Sequence, residues 1–185
     1  MKSRKLKNVV IHPEDKSTDF LSPIYKMATS KRVFRKDNTL VEVIKQVSRS
    51  DRVLMMGHGC PSGLFSINHF KGAGSLIVSD QEVELLKDKP ESVYIWCNAD
   101  KFVQKHDLHG FYSGMFISEV GEANYCGVQA NQEMVDESNN TFSKIVGKYI
   151  HLTVAELYEK VKEEYGVLAE SNPVARYNHE RLYLR

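Results

Sequence analysis

Along the first half of the chain, short apolar runs alternate with segments whose apolar positions recur at helical spacing. Asn8–His12 is a short apolar run closed by Pro13, and Arg32–Arg35 is a second strand candidate. Arg52–Met56 carries four apolar residues that stop at Gly57-His58-Gly59, and Ser92–Cys97 contains Val-Tyr-Ile-Trp-Cys. Near-continuous apolar strands of this kind are covered on both faces. Ser17–Thr29, with Phe20, Leu21, Ile24, Tyr25 and Met27-Ala28, has helical spacing and Pro23 within its first turns. Asp37 or Asn38 is expected to cap a helix carrying Leu40, Val43, Ile44 and Val47; Ser79 is expected to cap one through Val83, Leu85 and Leu86. Phe111–Val120 is strand-like, and Gly63–Ser66 and Lys71–Gly74 read as loop with at most short strands. Asn131–Tyr149 and Thr153–Tyr165 predict two helices, the second with Val154, Leu157, Val161 and Tyr165 on one face. The polar, tyrosine-rich tail from Ser171 carries no assignable pattern.

This alternation predicts an α/β fold: a mostly parallel sheet flanked by helices on both faces. With 185 residues, positions 1–185 are expected to form one domain with its own core. A formal net charge of +1 gives no sign of a surface built for nucleic acid or an anionic membrane. No run approaches the roughly 18 apolar residues of a membrane span. The basic stretch Met1–Lys7 runs straight into Val9-Val10-Ile11 without the apolar segment of a secretory leader. Cys60, Cys97 and Cys126 are three in number with no Cys-x-x-Cys pair, the usage of free thiols in a reducing compartment, so a cytoplasmic setting is expected.

In parallel sheets, ligands and reactive groups collect beyond the carboxyl ends of the strands. Two strands end there in reactive residues: Val53-Leu54-Met55-Met56 in Gly57-His58-Gly59, and Val93-Tyr94-Ile95-Trp96 in Cys97-Asn98-Ala99. If the strands are neighbours, their ends lie about 5 Å apart. An imidazole beside a thiol stabilises the thiolate, the nucleophilic species. Backbone N–H groups near Gly59 and Cys97 are candidates to hold an oxyanion. Cys60 is a rival thiol, and with His58, His69 and Cys97 it lacks any structural-zinc spacing, so no metal is expected.

Four apolar residues and His-Gly, followed after a long gap by four apolar residues and Cys, resemble the caspase-like cysteine peptidases (clan CD), the group of caspases, gingipains and clostripain. The resemblance implies a caspase/haemoglobinase-like three-layer sandwich and a Cys-His dyad, with His58 as the catalytic histidine, Gly59 as the glycine after it and Cys97 as the nucleophile. It covers Asn8 to Val128 in element order, but only these two motifs in residue identity. Trp96 and Asn98 stand where the family usually has a small residue and often glycine.

The same resemblance places the segment after the Cys strand at the pocket for the residue preceding the scissile bond. Ser118, Glu119 or Glu122 then borders it, and a carboxylate there favours a Lys or Arg side chain. Asn98 and Asp100 are candidates to line the same cleft or orient the imidazole. The function implied is that of a cysteine endopeptidase acting on a peptide or protein substrate, with no cofactor and no nucleic-acid or membrane partner. The short chain leaves room for a homo-oligomer or a partner subunit. Two alternatives use the same strand ends: a catalytically inactive caspase-like binding module, and a flavodoxin-like protein binding a nucleotide or other small molecule.

Overall fold

Residues 6–185 are described by the computed structural model; most of the basic opening stretch, up to Lys5, lies outside them. Strand β1 (Asn8–Ile11) leads into a 3-10 turn (Lys16–Leu21) and helix α1 (Ser22–Lys26), where Pro23 takes a first-turn position. Next come β2 (Lys31–Phe34), β3 (Asn38–Thr39), α2 (Leu40–Val47) and β4 (Arg52–Met56). Short strands β5 (Gly59–Cys60), β6 (Gly63–Phe65), β7 (Phe70–Lys71) and β8 (Leu76–Val78) precede α3 (Val83–Leu86) and β9 (Val93–Ile95). The chain continues through α4 (Ala99–Lys105), β10 (Phe111–Ser113), α5 (Val120–Tyr125), α6 (Gln132–Tyr149), α7 (Val154–Ala169), α8 (Pro173–His179) and β11 (Leu182–Leu184).

The main sheet has six strands in the order β11-β10-β9-β4-β1-β2, all parallel except the edge strand β11. Side chains alternate across it. Val10, Leu54, Met56, Val93, Ile95 and Phe111 face α1, α6 and α7, while Val9, Ile11, Val53, Met55, Tyr94 and Trp96 face α2, α3 and α4. Helices therefore cover both faces, as expected for an α/β protein with a mostly parallel sheet. Among the described residues no helix is long and apolar enough to cross a membrane.

Several boundaries differ from expectation. Thr39, rather than Asp37 or Asn38, caps α2, in a reciprocal capping box with Glu42. Ser79 gives its N–H and hydroxyl to the Glu82 carboxylate, and α3 begins only at Val83. The Phe111–Val120 segment is a strand only as far as Ser113, since its later residues carry loop contacts and Val120 opens α5. The unassigned tail forms α8 and β11. Asn172 accepts from the N–H groups of Val174 and Ala175, and Pro173 follows it at the first turn.

Two glycines carry close-packing constraints. Gly57, at φ 140, turns the chain out of β4 in a conformation other residues resist. A Cβ on Gly59 would lie 2.3 Å from Trp96 Cδ1 and 2.6 Å from the Gly63 carbonyl oxygen. Trp96 is buried, and its indole N–H donates to the Cys60 carbonyl at 3.2 Å. The glycine beside His58 is thus required by the tryptophan that precedes Cys97. Gly59→Ala should destabilise the fold by about 1–3 kcal/mol through overpacking. Gly121→Ala, on the open side of α5 where an added Cβ meets nothing within 4 Å, should instead gain about 0.5–1 kcal/mol. Urea unfolding midpoints of the two variants check the contrast.

Candidate active site

The parallel pairing of β4 with β9 sets Leu54 against Val93, Met55 against Tyr94 and Met56 against Ile95. Gly57 N–H donates to Ile95 O at 3.1 Å as the ladder ends, and His58 and Cys97 each follow two residues after the last pair. Beyond Ile95 the chain makes a tight turn closed by Ala99 N–H to Trp96 O at 3.1 Å, with Asn98 left-handed at φ 66, ψ 31. Asparagine tolerates that conformation better than most residues, so it serves where glycine is the usual choice. Trp96 points to the opposite face of the sheet. Neither departure from the caspase-like motif blocks the strand–turn–helix geometry that presents Cys97.

His58 and Cys97 line one small cavity of about 20 Å³, together with Thr18, Phe20, Phe116 and Ser118. Their hydrogen bonds, however, go elsewhere. The Cys97 thiol donates to the Phe116 carbonyl at 3.4 Å and faces Glu122 Oε1 at 3.8 Å. Burial first, and the Glu122 carboxylate second, push this thiol up to about 12, so it is protonated at neutral pH. The expected thiolate stabilised by a neighbouring imidazole is therefore not the resting state. A carboxylate disfavours a second negative charge beside it, and this one faces the sulfur directly.

His58 Nε2 lies 2.6 Å from Ser17 Oγ, and the Ser17 hydroxyl donates to Asp15 Oδ1 at 2.6 Å. Ser17 N–H donates to the same oxygen at 2.9 Å. The Ser17 hydroxyl, opposed by some burial, holds the Asp15 carboxyl below the usual carboxylate range. Asp15 and Ser17 belong to the loop after β1 and were not foreseen as site residues. Their signal was an Asp-x-Ser turn placed directly after a strand end, on the same rim as His58. His12 anchors this loop from below: its ring nitrogens meet Tyr25 Oη at 3.0 Å and Thr18 Oγ1 at 3.2 Å. Burial, reinforced by Arg35, lowers its pKa to about 4, so it is a neutral structural imidazole.

Next to the thiol, a larger cavity of about 280 Å³ shares Phe20 and Ser118 with the first. Lys16, Glu119 and Asp136 all line it. Asn139, only 5% exposed, gives its amide N–H to Ser118 O at 2.9 Å, and its Oδ1 has no partner among the described residues. Of the expected pocket residues, Ser118 and Glu119 therefore border this space. Glu122 lies behind them: its Oε2 accepts from Ser118 N–H at 2.7 Å, Ser118 Oγ–H at 2.9 Å and Glu119 N–H at 3.2 Å.

Asn98 and Asp100 are not brought to either cavity. Asn98 shapes the turn through its backbone. Asp100 lies on α4 near Tyr112, a residue of the opposite core. The imidazole's partner is Ser17 rather than either of them. His69 Nε2 is engaged by Glu14 O at 2.9 Å. Among the described residues no group of three or more His, Cys, Asp or Glu is arranged to hold a metal ion. No protein-family model matches the chain, and no curated protein is significantly similar to it in sequence.

The thiol's environment has a direct readout. Alkylation of Cys97 by iodoacetamide, followed residue by residue by mass spectrometry, should still be rising with pH at about pH 10 rather than levelling near the ordinary thiol range. Glu122→Gln removes the second cause of the raised pKa and should speed the reaction about three- to tenfold at pH 8. A plateau below pH 8 in the wild type, or no acceleration in the variant, contradicts this account.

Proposed function

We propose that the chain is a cysteine endopeptidase with a caspase-like three-layer sandwich, using Cys97 as nucleophile and His58 as proton shuttle. The observation that supports the reading is the parallel β4–β9 pairing, after whose last pair His58 and Cys97 both line one cavity. Entry of a peptide displaces the thiol from the Phe116 carbonyl and Glu122. His58 takes the thiol proton, the sulfur attacks the scissile carbonyl, and the C–N bond breaks as His58 returns that proton to the leaving amine. Water then cleaves the thioester and regenerates the thiol.

Two backbone amides are candidates for the oxyanion. Among the described residues Cys97 N–H meets no backbone acceptor. Gly59 stands opposite Leu64 while Phe65 N–H bonds to His58 O, a register that turns the Gly59 N–H away from β6.

The pocket beside the dyad favours a basic residue before the scissile bond. It offers the Glu119 and Asp136 carboxylates, two acceptors against the one cation Lys16 on the same lining, to an ammonium or guanidinium group.

A second reading is favoured by the protonated, carboxylate-facing thiol: a catalytically inactive module that binds basic peptides in the same cleft.

Peptides ending in Lys, Arg, Leu, Ala or Asp before a fluorogenic amide separate the two. Lys and Arg peptides should be cleaved best, and Cys97→Ala or His58→Ala should remove activity by at least about a thousandfold. Asp136→Asn should cut kcat/KM on basic peptides about tenfold or more while leaving the slow cleavage of Leu peptides unchanged. Hydrolysis that survives Cys97→Ala rules the peptidase reading out. Binding of a basic peptide without hydrolysis favours the inactive module.

A further inference from the structure

We propose that Ser17 and Asp15 are positioning residues that lock neutral His58 in the tautomer protonated on Nε2, leaving the Nδ1 lone pair as the base. The argument is a count of protons. Ser17 Oγ lies 2.6 Å from Asp15 Oδ1 and 2.6 Å from His58 Nε2, and a hydroxyl has a single hydrogen to give. An ionised carboxylate only accepts, so that hydrogen points at Asp15. Ser17 therefore turns a lone pair toward the ring, and Nε2 must carry the hydrogen between them. The ionised state of Asp15 agrees, since its carboxyl is held below the usual range chiefly by this hydroxyl.

A plain helix-turn cap would need only the Ser17 N–H contact to Asp15, at 2.9 Å. The hydroxyl contact and its continuation to an imidazole 41 positions away go beyond capping. The loop bearing them is also held in place, because buried His12 bonds Thr18, the residue after Ser17. In the reaction read above, the Cys97 S–H bond breaks and an Nδ1–H bond forms. The resulting imidazolium keeps its Nε2–H on Ser17, with the Asp15 charge one hydroxyl away. A serine is thus inserted between the histidine and the carboxylate that steadies it. The consequence for turnover rests on the peptidase reading, whereas the tautomer does not.

Two-bond 1H–15N correlation spectra of the 15N-labelled full chain at a pH where His58 is neutral test the tautomer directly. The wild type should show the Nε2–H pattern, Ser17→Ala and Asp15→Asn a mixture of both tautomers, and Ser17→Thr the wild-type pattern again. An Nδ1–H pattern in the wild type, or an unchanged pattern in Ser17→Ala, overturns the proposal. On a Lys peptide, Ser17→Ala should lower kcat at least about tenfold with KM within about twofold, and Ser17→Thr should recover most of the loss. Equal losses in the Ala and Thr variants would reduce Ser17 to a structural role and overturn it too. If the wild type cleaves no peptide while the spectra behave as stated, the peptidase reading falls and the positioning of His58 stands.

Discussion

The pairing of β4 with β9 is the constraint on which the site depends. Side chains on a strand alternate, so a shift of one residue in either strand would bring Trp96 rather than Cys97 to the helix α6 face. The register is held at both ends. At the amino end Arg52, buried, donates to Glu91 O at 2.7 Å and Ile150 O at 2.6 Å, and Val53 N–H donates to Ser92 Oγ at 3.2 Å. At the carboxyl end Gly57 N–H closes the ladder on Ile95 O. Removing the guanidinium would take a donor from both carbonyls at once, so the anchor is costly to lose even though it lies at the other end of the strands from His58 and Cys97.

Four segments meet over that rim and divide the labour. The loop after β4 supplies the imidazole, the turn after β9 supplies the thiol, and the segment after β10 brings Ser118, Glu119 and Glu122. The first loop of the chain, after β1, then braces the imidazole. Glu122 links two of these parts: one oxygen gathers the Ser118–Glu119 turn while the other faces the sulfur. Any movement of the pocket wall is therefore felt at the thiol, and the resting structure is set toward the protonated sulfur.

Much of this was legible in the residues. β4 and β9 announce themselves as uninterrupted apolar runs, and α6 and α7 by helical spacing with Asn131 and Thr153 at their caps. Local signals of that kind survive folding because they state both the period and the boundary. That His58 and Cys97 reach one rim was legible for the same reason, through strand ends. What escaped depends on contacts made only in three dimensions. Asp15 and Ser17 read locally as a turn, and only the sheet order β9-β4-β1 carries them to His58. Asp100 sits one turn along α4 from the presented thiol, and helical rotation sends it toward Tyr112 instead. The tail was missed because α8 and β11 are short and stabilised by what they pack on, such as Asn178, whose side chain bridges the backbone of Ile117 at 2.7 and 2.9 Å.

Trp96 is the only tryptophan in the chain, and it touches the segments that carry both His58 and Cys97: it precedes Cys97, and its ring fills the space over Gly59. Its indole is dry and hydrogen-bonded to Cys60 O. Tryptophan emission, excited beyond the absorption of the nine tyrosines, therefore comes from a single emitter located behind the rim that carries His58 and Cys97. Occupancy of the cleft, or loosening of the β5–β6 hairpin, would alter the polarity around that one chromophore, giving the chain a native optical reporter without any label.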